Sequence, residues 1–349
     1  MARMTTNHGL PATDKVKVAV VGTGSLGKEH VRIYAGLAAA GRVDFVGLFD
    51  IAADAARKCA EKHNIRAFNS LAEAVAASDA VSVVTPTTTH FELARMLLQQ
   101  GKHVLLEKPM TDNGAQASEL VQLAQEKSCI LQVGHVERFN PVFTYLETVV
   151  TQPRFIETHR LSPYPNRSTD IGVVLDLMIH DLDIVLAFVK SPVTSVDAVG
   201  IPVLSTSEDI ANARLRFASG CIANMTVSRV SPEKMRKIRV FSSGPITSYI
   251  SLDYRAQEGF IYRIARDGEE ESSLLKKLFR AKDSTIVSEF RGKRIVREPV
   301  PIAKEEPLKL ELAHFVECVQ AHHAPRVSGE SAKRALDLAL EITRQVGIR

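Results

Sequence analysis

The stretch VKVAVVGTGSLG at 16–27 leaves this chain fewer folds than any other part of its sequence. Its first half is almost continuously apolar, as in a strand buried on both faces of a helix-covered parallel sheet. Three glycines follow at once, Gly22, Gly24 and Gly27, with Thr23, Ser25 and Leu26 between them. Gly22 permits a tight turn, Gly24 lets the backbone approach a pyrophosphate at a helix N-terminus, and Gly27 allows close packing of helix on strand. The next strand, DFVGLFD at 44–50, ends in Asp50, where an acid can hydrogen-bond the hydroxyls of an adenosine ribose. A carboxylate there repels a 2′-phosphate, and Ile51 rather than an arginine follows, so NAD is favoured over NADP. Arg57 and Lys58 in the following helix are the counter-signal.

The same alternation continues. Helical stretches over Ala52–His63, Leu71–Ala76, His90–Gln100 and Ala115–Lys127 separate the strand-like runs AVSVVTP (80–86), HVLLEKP (103–109) and CILQVGH (129–135). This is the text of a doubly wound parallel sheet, the Rossmann arrangement, over 15–138. From 139 the texture shifts to period-2 runs such as SVDAVGIPVL, ANARLRFASGCIANMTVSRV and RKIRVFSSG. These predict an α+β unit over 139–349 with a large, mostly antiparallel open sheet. The charged, weakly patterned segment 259–301 reads as edge strands and a mobile loop, and 1–14 as a loose tail. Helical text returns over 308–346, with Leu312, Phe315, Val316 and Val319 on one face, and is expected to pack back on the first unit. Two domains suit a chain of 349 residues.

With 45% hydrophobic and 24% charged residues, disordered and low-complexity classes are excluded. The net charge of +4 is small and scattered, which argues against a nucleic-acid partner. Cys59, Cys129, Cys221 and Cys318 form no CxxC pair, so neither a disulfide framework nor a zinc site is expected. A reducing cytoplasm fits that cysteine usage, and the absence of a ~20-residue apolar run or a secretory h-region argues against membrane insertion.

Two strand ends deliver polar residues to the carboxyl edge, where open α/β sheets bind ligands: Thr85-Pro86-Thr87 and Glu107-Lys108-Pro109. A lysine partly desolvated beside a cofactor can exchange a proton with a hydroxyl, although Lys108 could equally cap a strand at the surface.

On GTGSLG, TPTTTH (85–90), EKP (107–109), VGHVERFNP (133–141) and GVVLDLMIHDLD (172–183), nearly the whole chain resembles the Gfo/Idh/MocA oxidoreductases. The resemblance implies that Lys108, Asp176 and His180 line the nicotinamide and substrate. Asp176 and His180 are spaced i, i+4, on one face of a helix, although such a pair alone is more often an ion pair or a supporting contact. Asp181 and Asp183 could tempt a metal reading, but no further His or Cys joins them and no metal is expected. In the implied reaction a secondary alcohol gives up hydride to the nicotinamide while Lys108 or His180 takes the hydroxyl proton. Thr85, Pro86, Thr87 and His90 are expected on the nicotinamide side, with His90 alternatively a helix N-terminal contact, and Glu107 is expected at a ribose. Gln132, His135, Glu137 and Arg138 should enter the cleft, Arg138 alternatively tying the domains together.

The stretch RFIETHRLSPYPNRSTDIGVVLDLMIHDLDIVL resembles a subgroup that oxidises the 3-hydroxyl of UDP-N-acetylglucosamine, towards amino-sugar lipid A. That substrate would ask Arg160 and Arg167 to neutralise a diphosphate, with His159 and Tyr164 near sugar or uracil. The alternatives are a free polyol or monosaccharide of inositol or glucose type, an NAD-dependent glycoside hydrolase, and a non-catalytic dinucleotide sensor. Alternate apolar residues in ANARLRF and CIANMTV suggest a sticky open sheet face, and hence a homodimer or homotetramer through the second sheet.

Overall fold

The computed structural model describes residues 15–164, 171–243, 247–265, 285–290 and 292–347. The expected tail at 1–14 and most of the expected loop within 259–301 lie outside these residues. In the first unit β1 (Lys17–Val21), α1 (Ser25–Ala39), β2 (Asp44–Phe49), α2 (Ala53–His63), α3 (Leu71–Ala77), β3 (Ala80–Val83), α4 (Thr87–Gln99), β4 (His103–Leu106), α5 (Gly114–Glu126) and β5 (Leu131–Val133) build one parallel sheet, ordered β2-β1-β3-β4-β5. Its central strands are buried on both faces, as their apolar runs require. Ser70 and Asn113 cap α3 and α5 by accepting the main-chain N–H of Glu73 and Gln116. Helix α4 starts at Thr87 rather than at His90, because packing on the sheet overrides the weak helix propensity of consecutive threonines.

The second unit follows a 3-10 turn (Val136–Phe139) and α6 (Pro141–Val149). Its strands are β6 (Pro153–Leu161), β7 (Val193–Ile201), β8 (Ile210–Phe217), β9 (Ile222–Ser228), β10 (Met235–Ser242), β11 (Ser248–Asp253), β12 (Glu258–Ile264), β13 (Thr285–Phe290) and β14 (Lys293–Pro299), ordered β13-β14-β12-β11-β10-β6-β9-β8-β7. Pairing is antiparallel apart from β6 with β9. Between β6 and β7 lie a π-helical turn (Val174–Met178) and α7 (Ile179–Val189), which cover one sheet face together with α9 (Gly329–Val346). Helix α8 (Pro307–Ala321) returns to the first unit, where Leu312, Phe315, Val316 and Val319 close a core with Val18, Val20 and Leu105.

The faces of the second sheet differ from the sequence expectation in one respect. The alternating apolar residues of β8 and β9, Ala211, Ala213, Leu215, Ala223, Met225 and Val227, point into the helix-covered core. Asn212, Arg214, Asn224 and Thr226 line the opposite face instead. The apolar character of that face comes from an aromatic row across β6, β10, β11 and β12. Phe155 meets Phe241 at 5.9 Å, Phe241 meets Tyr249 at 4.6 Å, and Tyr249 meets Tyr262 at 5.4 Å.

One buried ion pair orders the approach to the π turn. Arg229 and Asp209 are both fully buried, 2.6 Å apart, and Asp209 also accepts the main-chain N–H groups of Val203, Leu204 and Ser205. Losing one partner of such a pair costs about 3–5 kcal/mol, so the 202–209 loop is firmly held. The neighbouring Glu208 accepts the N–H of Val173 with its carbonyl (3.0 Å) and that of Val174 with its carboxylate (3.2 Å).

Candidate active site

The glycine loop forms the cradle that its spacing implies. Gly22 has φ +96°, and a Cβ on it would stand 2.3 Å from the Val84 carbonyl oxygen; a Cβ on Gly27 would stand 2.1 Å from the Gly22 carbonyl oxygen. Gly24 faces open space, with nothing within 4 Å of an added Cβ. It is the N-cap of α1, with no capping side chain and no acid in the first turn, so the helix terminus remains available to an anion. Asp50 accepts the Thr23 N–H (2.6 Å), the Thr23 hydroxyl (2.8 Å) and the Ala52 N–H (2.8 Å). Burial opposes its ionisation, but the bonds from Ala52 and Thr23 outweigh burial and hold the carboxyl below the usual carboxylate range. Ile51 beside it is 95% exposed, an apolar surface next to a fixed anion. An open glycine, an uncapped helix and a preorganised carboxylate fit a dinucleotide.

At the end of β4, Lys108 crosses to the second unit. Its Nζ donates to the Asp176 main-chain carbonyl (2.7 Å) and to Asp176 Oδ1 (3.0 Å). An ammonium has three N–H bonds, so these two contacts leave one for a third acceptor. Asp176 lies in the π turn, where the Ile179 N–H reaches the Val174 carbonyl five residues back. The sequence spacing suggests an ordinary α-helix here; the wider turn, a form common at functional sites, replaces its first part. His180 follows at the start of α7 and meets the His135 ring edge-on at 6.0 Å. Its Nδ1 is buried without a partner among the described residues. Burial first, then the positive charges of Lys108 and Arg160, push His180 well below the usual histidine value, giving a neutral imidazole that can accept a proton.

Several expected site residues work beneath the cleft rather than in it. Arg160 is buried, gripping Asp181 through two nitrogens (3.0 and 3.2 Å) and Glu137 through a third (3.1 Å), so its guanidinium is not free for a diphosphate. Adjacent strand residues point to opposite faces, which puts His159 on the far side of the sheet with Arg239 (3.3 Å) rather than near a sugar. Arg138 reaches Asp183 (3.4 Å) and the Arg326 carbonyl (3.2 Å), the contacts of a structural tie. Gln132 is fully buried and donates to the Glu311 carbonyl (3.2 Å). Glu107, expected at a ribose, turns inward to His30 Nε2 (3.1 Å) and the Lys108 N–H (3.3 Å). Gly134 leaves room for that turn, since a Cβ there would stand 2.7 Å from the Glu107 carboxylate. His90 is buried between the carbonyls of Thr85 and Pro109, each 2.9 Å from a ring nitrogen; burial favours the neutral imidazole, whose single N–H donates to one of the two. Thr85, Pro86 and Thr87 lie at the carboxyl edge, where the Thr89 hydroxyl fixes Thr85 (2.7 Å) and the Pro86 carbonyl (2.8 Å). Tyr164 stands beside Arg229, its ring 5.6 Å from the guanidinium, and Arg167 lies outside the described residues.

The sequence reading missed Arg236. It pairs in register with Arg160 across β10 and β6, approaches Glu137 at 3.5 Å, and keeps a side chain 55% exposed. The signal was the alternation of Arg236, Ile238 and Val240: if the two apolar residues face the core, the arginine shares their face.

Comparison with known proteins finds relatives over nearly the whole chain. Residues 16–135 match the family model of the oxidoreductase family with an NAD-binding Rossmann fold, GFO/IDH/MocA, and residues 144–244 match the GFO/IDH/MocA C-terminal domain. The chain is 34% identical over 328 residues, 94% of its length and 96% of the relative's, to the UDP-N-acetylglucosamine 3-dehydrogenase of Acidithiobacillus ferrooxidans. A solved structure of that dehydrogenase superposes with a TM-score of 0.83 over 95% of this chain and 97% of that one, at 33% identity. The scyllo-inositol 2-dehydrogenase (NAD(+)) of Bacillus subtilis is 25% identical over 280 residues, covering 76% of this chain and 74% of the relative. A protein of gentamicin A biosynthesis in complex with NAD shares the fold, with a TM-score of 0.74 at 18% identity over 98% of this chain and 97% of that one.

Replacing Asp50 with Ala is expected to weaken NAD binding and to relax discrimination against NADP. Calorimetric titration of both dinucleotides checks this, and unchanged affinities for both would remove Asp50 from the ribose.

Proposed function

The chain belongs to the Gfo/Idh/MocA oxidoreductases, and from that premise we propose that it oxidises the 3-hydroxyl of the sugar in UDP-N-acetylglucosamine. The observation that carries the chemistry is Lys108 held by two oxygens of Asp176, beside a neutral His180 and at the same carboxyl edge of the parallel sheet as the glycine loop. The substrate rests on the likeness to the Acidithiobacillus ferrooxidans dehydrogenase over nearly the full length of both chains.

NAD, held by Gly22–Gly27 and Asp50, supplies the hydride acceptor. The remaining N–H of Lys108 takes the oxygen of the substrate hydroxyl and stabilises negative charge as its proton leaves. His180 accepts that proton as a neutral base. Asp176 keeps Lys108 in place. The hydroxyl proton and the hydride together account for the two hydrogens lost as the alcohol becomes a ketone. A diphosphate needs a cation, and Arg236, half-exposed on the site face of the sheet, takes the role that Arg160 gives up to Asp181 and Glu137.

The same reading includes assembly through the second sheet. The aromatic row from Phe155 to Tyr262 lies on the face without helices and offers a second copy an apolar stripe. Light scattering is expected to give twice or four times the mass of one chain, and a monomer at micromolar concentration would end this part of the proposal.

Two measurements test the chemistry. NADH absorbance at 340 nm with NAD and UDP-N-acetylglucosamine should rise, and should stay flat with free N-acetylglucosamine or inositol. A signal from a free polyol alone would replace the nucleotide-sugar reading by the polyol one. Lys108→Ala should retain NAD binding and lose at least about a hundredfold in turnover, the usual worth of a positioned proton-transfer group. Full activity in that variant would take the lysine out of the mechanism.

A further inference from the structure

Where α8 crosses α1 and the 3-10 turn, a glutamate is shut inside the protein with no partner for its carboxyl among the described residues. Glu311 is fully buried, and neither of its carboxyl oxygens has a partner among the described residues. Gln132 from β5 donates only to its main-chain carbonyl. The ionisable groups that face it are Tyr34 from α1, Glu107 from the end of β4 and Asp183 from α7. Arg138, the cation that pairs with Asp183, gives its guanidinium to that carboxylate and to the Arg326 carbonyl. Glu107 is itself engaged with His30 and with the Lys108 N–H. A third carboxylate added to Glu107 and Asp183 would be a buried charge without compensation, the costliest arrangement a protein interior can hold. A carboxylic acid in the same place costs far less and brings an O–H donor to a cluster rich in acceptors.

We propose that Glu311 serves the site as an uncharged acid: a positioning residue whose buried, unpartnered carboxyl keeps its proton and so adds no further negative charge beside Glu107, the carboxylate that holds the Lys108 N–H at the strand end. Burial raises the Glu311 carboxyl well above the usual range, with the negative charges of Glu107 and Asp183 adding to it. The arrangement parallels paired carboxyl groups elsewhere, in which like charges that cannot both ionise retain a proton between them.

The sign of the pH dependence follows. In the unfolded chain a glutamate ionises near ~4.3, whereas Glu311 in the fold keeps its proton to higher pH. Between those two values folding takes up a proton, so this residue's contribution to stability falls as pH rises. A glutamine keeps an N–H donor and takes up no proton.

The experiment compares the full-length protein with Glu311→Gln and Glu311→Leu. Thermal unfolding at pH 6 and pH 8 should show the Gln variant gaining on the parent, its margin in Tm about 2 °C or more larger at pH 8 than at pH 6. NAD affinity by calorimetry, and turnover with the nucleotide sugar, should remain within about threefold for Gln and fall about tenfold or more in turnover for Leu. A margin that does not change with pH, or a Gln variant as impaired as Leu, would overturn the proposal. Only the turnover readout rests on the dehydrogenase reading. If the parent oxidises no sugar, that reading fails while the pH-dependent stability still decides the state of Glu311.

Discussion

The contact on which the functional geometry depends is the grip of Asp176 on the Lys108 ammonium. Lys108 belongs to the end of a strand in the first sheet and Asp176 to a π turn in the second unit, so one side chain joins the two halves at the cleft. Both oxygens that hold it come from one residue, and one of them is a main-chain carbonyl. The backbone path of the π turn therefore sets the position of the lysine directly. That path is braced from below by Glu208, which is held in turn by the buried Arg229–Asp209 pair next to it in the chain.

Around this contact the protein spends charges on organisation. Arg160 with Asp181 and Glu137, and Arg138 with Asp183, are buried pairs that anchor α7. Each fixes one element against another: β6 to α7 and the 3-10 turn, and the 3-10 turn to α7. Buried pairs of this kind return little net stability, but removing one member is costly, which suits them to holding a fixed geometry. They also fix the field in the cleft. His180 is kept neutral first by its burial and then by the positive charges of Lys108, Arg160 and Arg236.

Much of this was legible in the sequence. The glycine loop, Asp50 and the alternation of strand and helix give the first unit, because each follows from local geometry with little choice. Lys108, Asp176 and His180 were legible as types in a pattern, yet their contact was not, since it depends on a turn whose π form has no signature in single-residue propensities. Arg160 shows the limit most clearly. An arginine beside a catalytic helix reads as an anion-binding group, and only the fold shows two carboxylates already on it. Glu107 just past β4, Gln132 within β5 and His90 in the first turn of α4 share one reason: polar residues near the carboxyl edge of a sheet look solvent-facing in sequence, and three-dimensional packing turned these inward. Glu311 gave no signal at all, sitting at an ordinary helical position of α8.

The return of α8 has a consequence for how this protein is made. The core beneath β1 and β4 is completed by Leu312, Phe315, Val316 and Val319, residues that leave the ribosome long after the sheet they cover. While 307–321 remains unsynthesised, the part of this core that α1 and α2 do not cover is open. The unit that is encoded first is thus finished late, and its nascent form is an exposed surface on which chaperones can act.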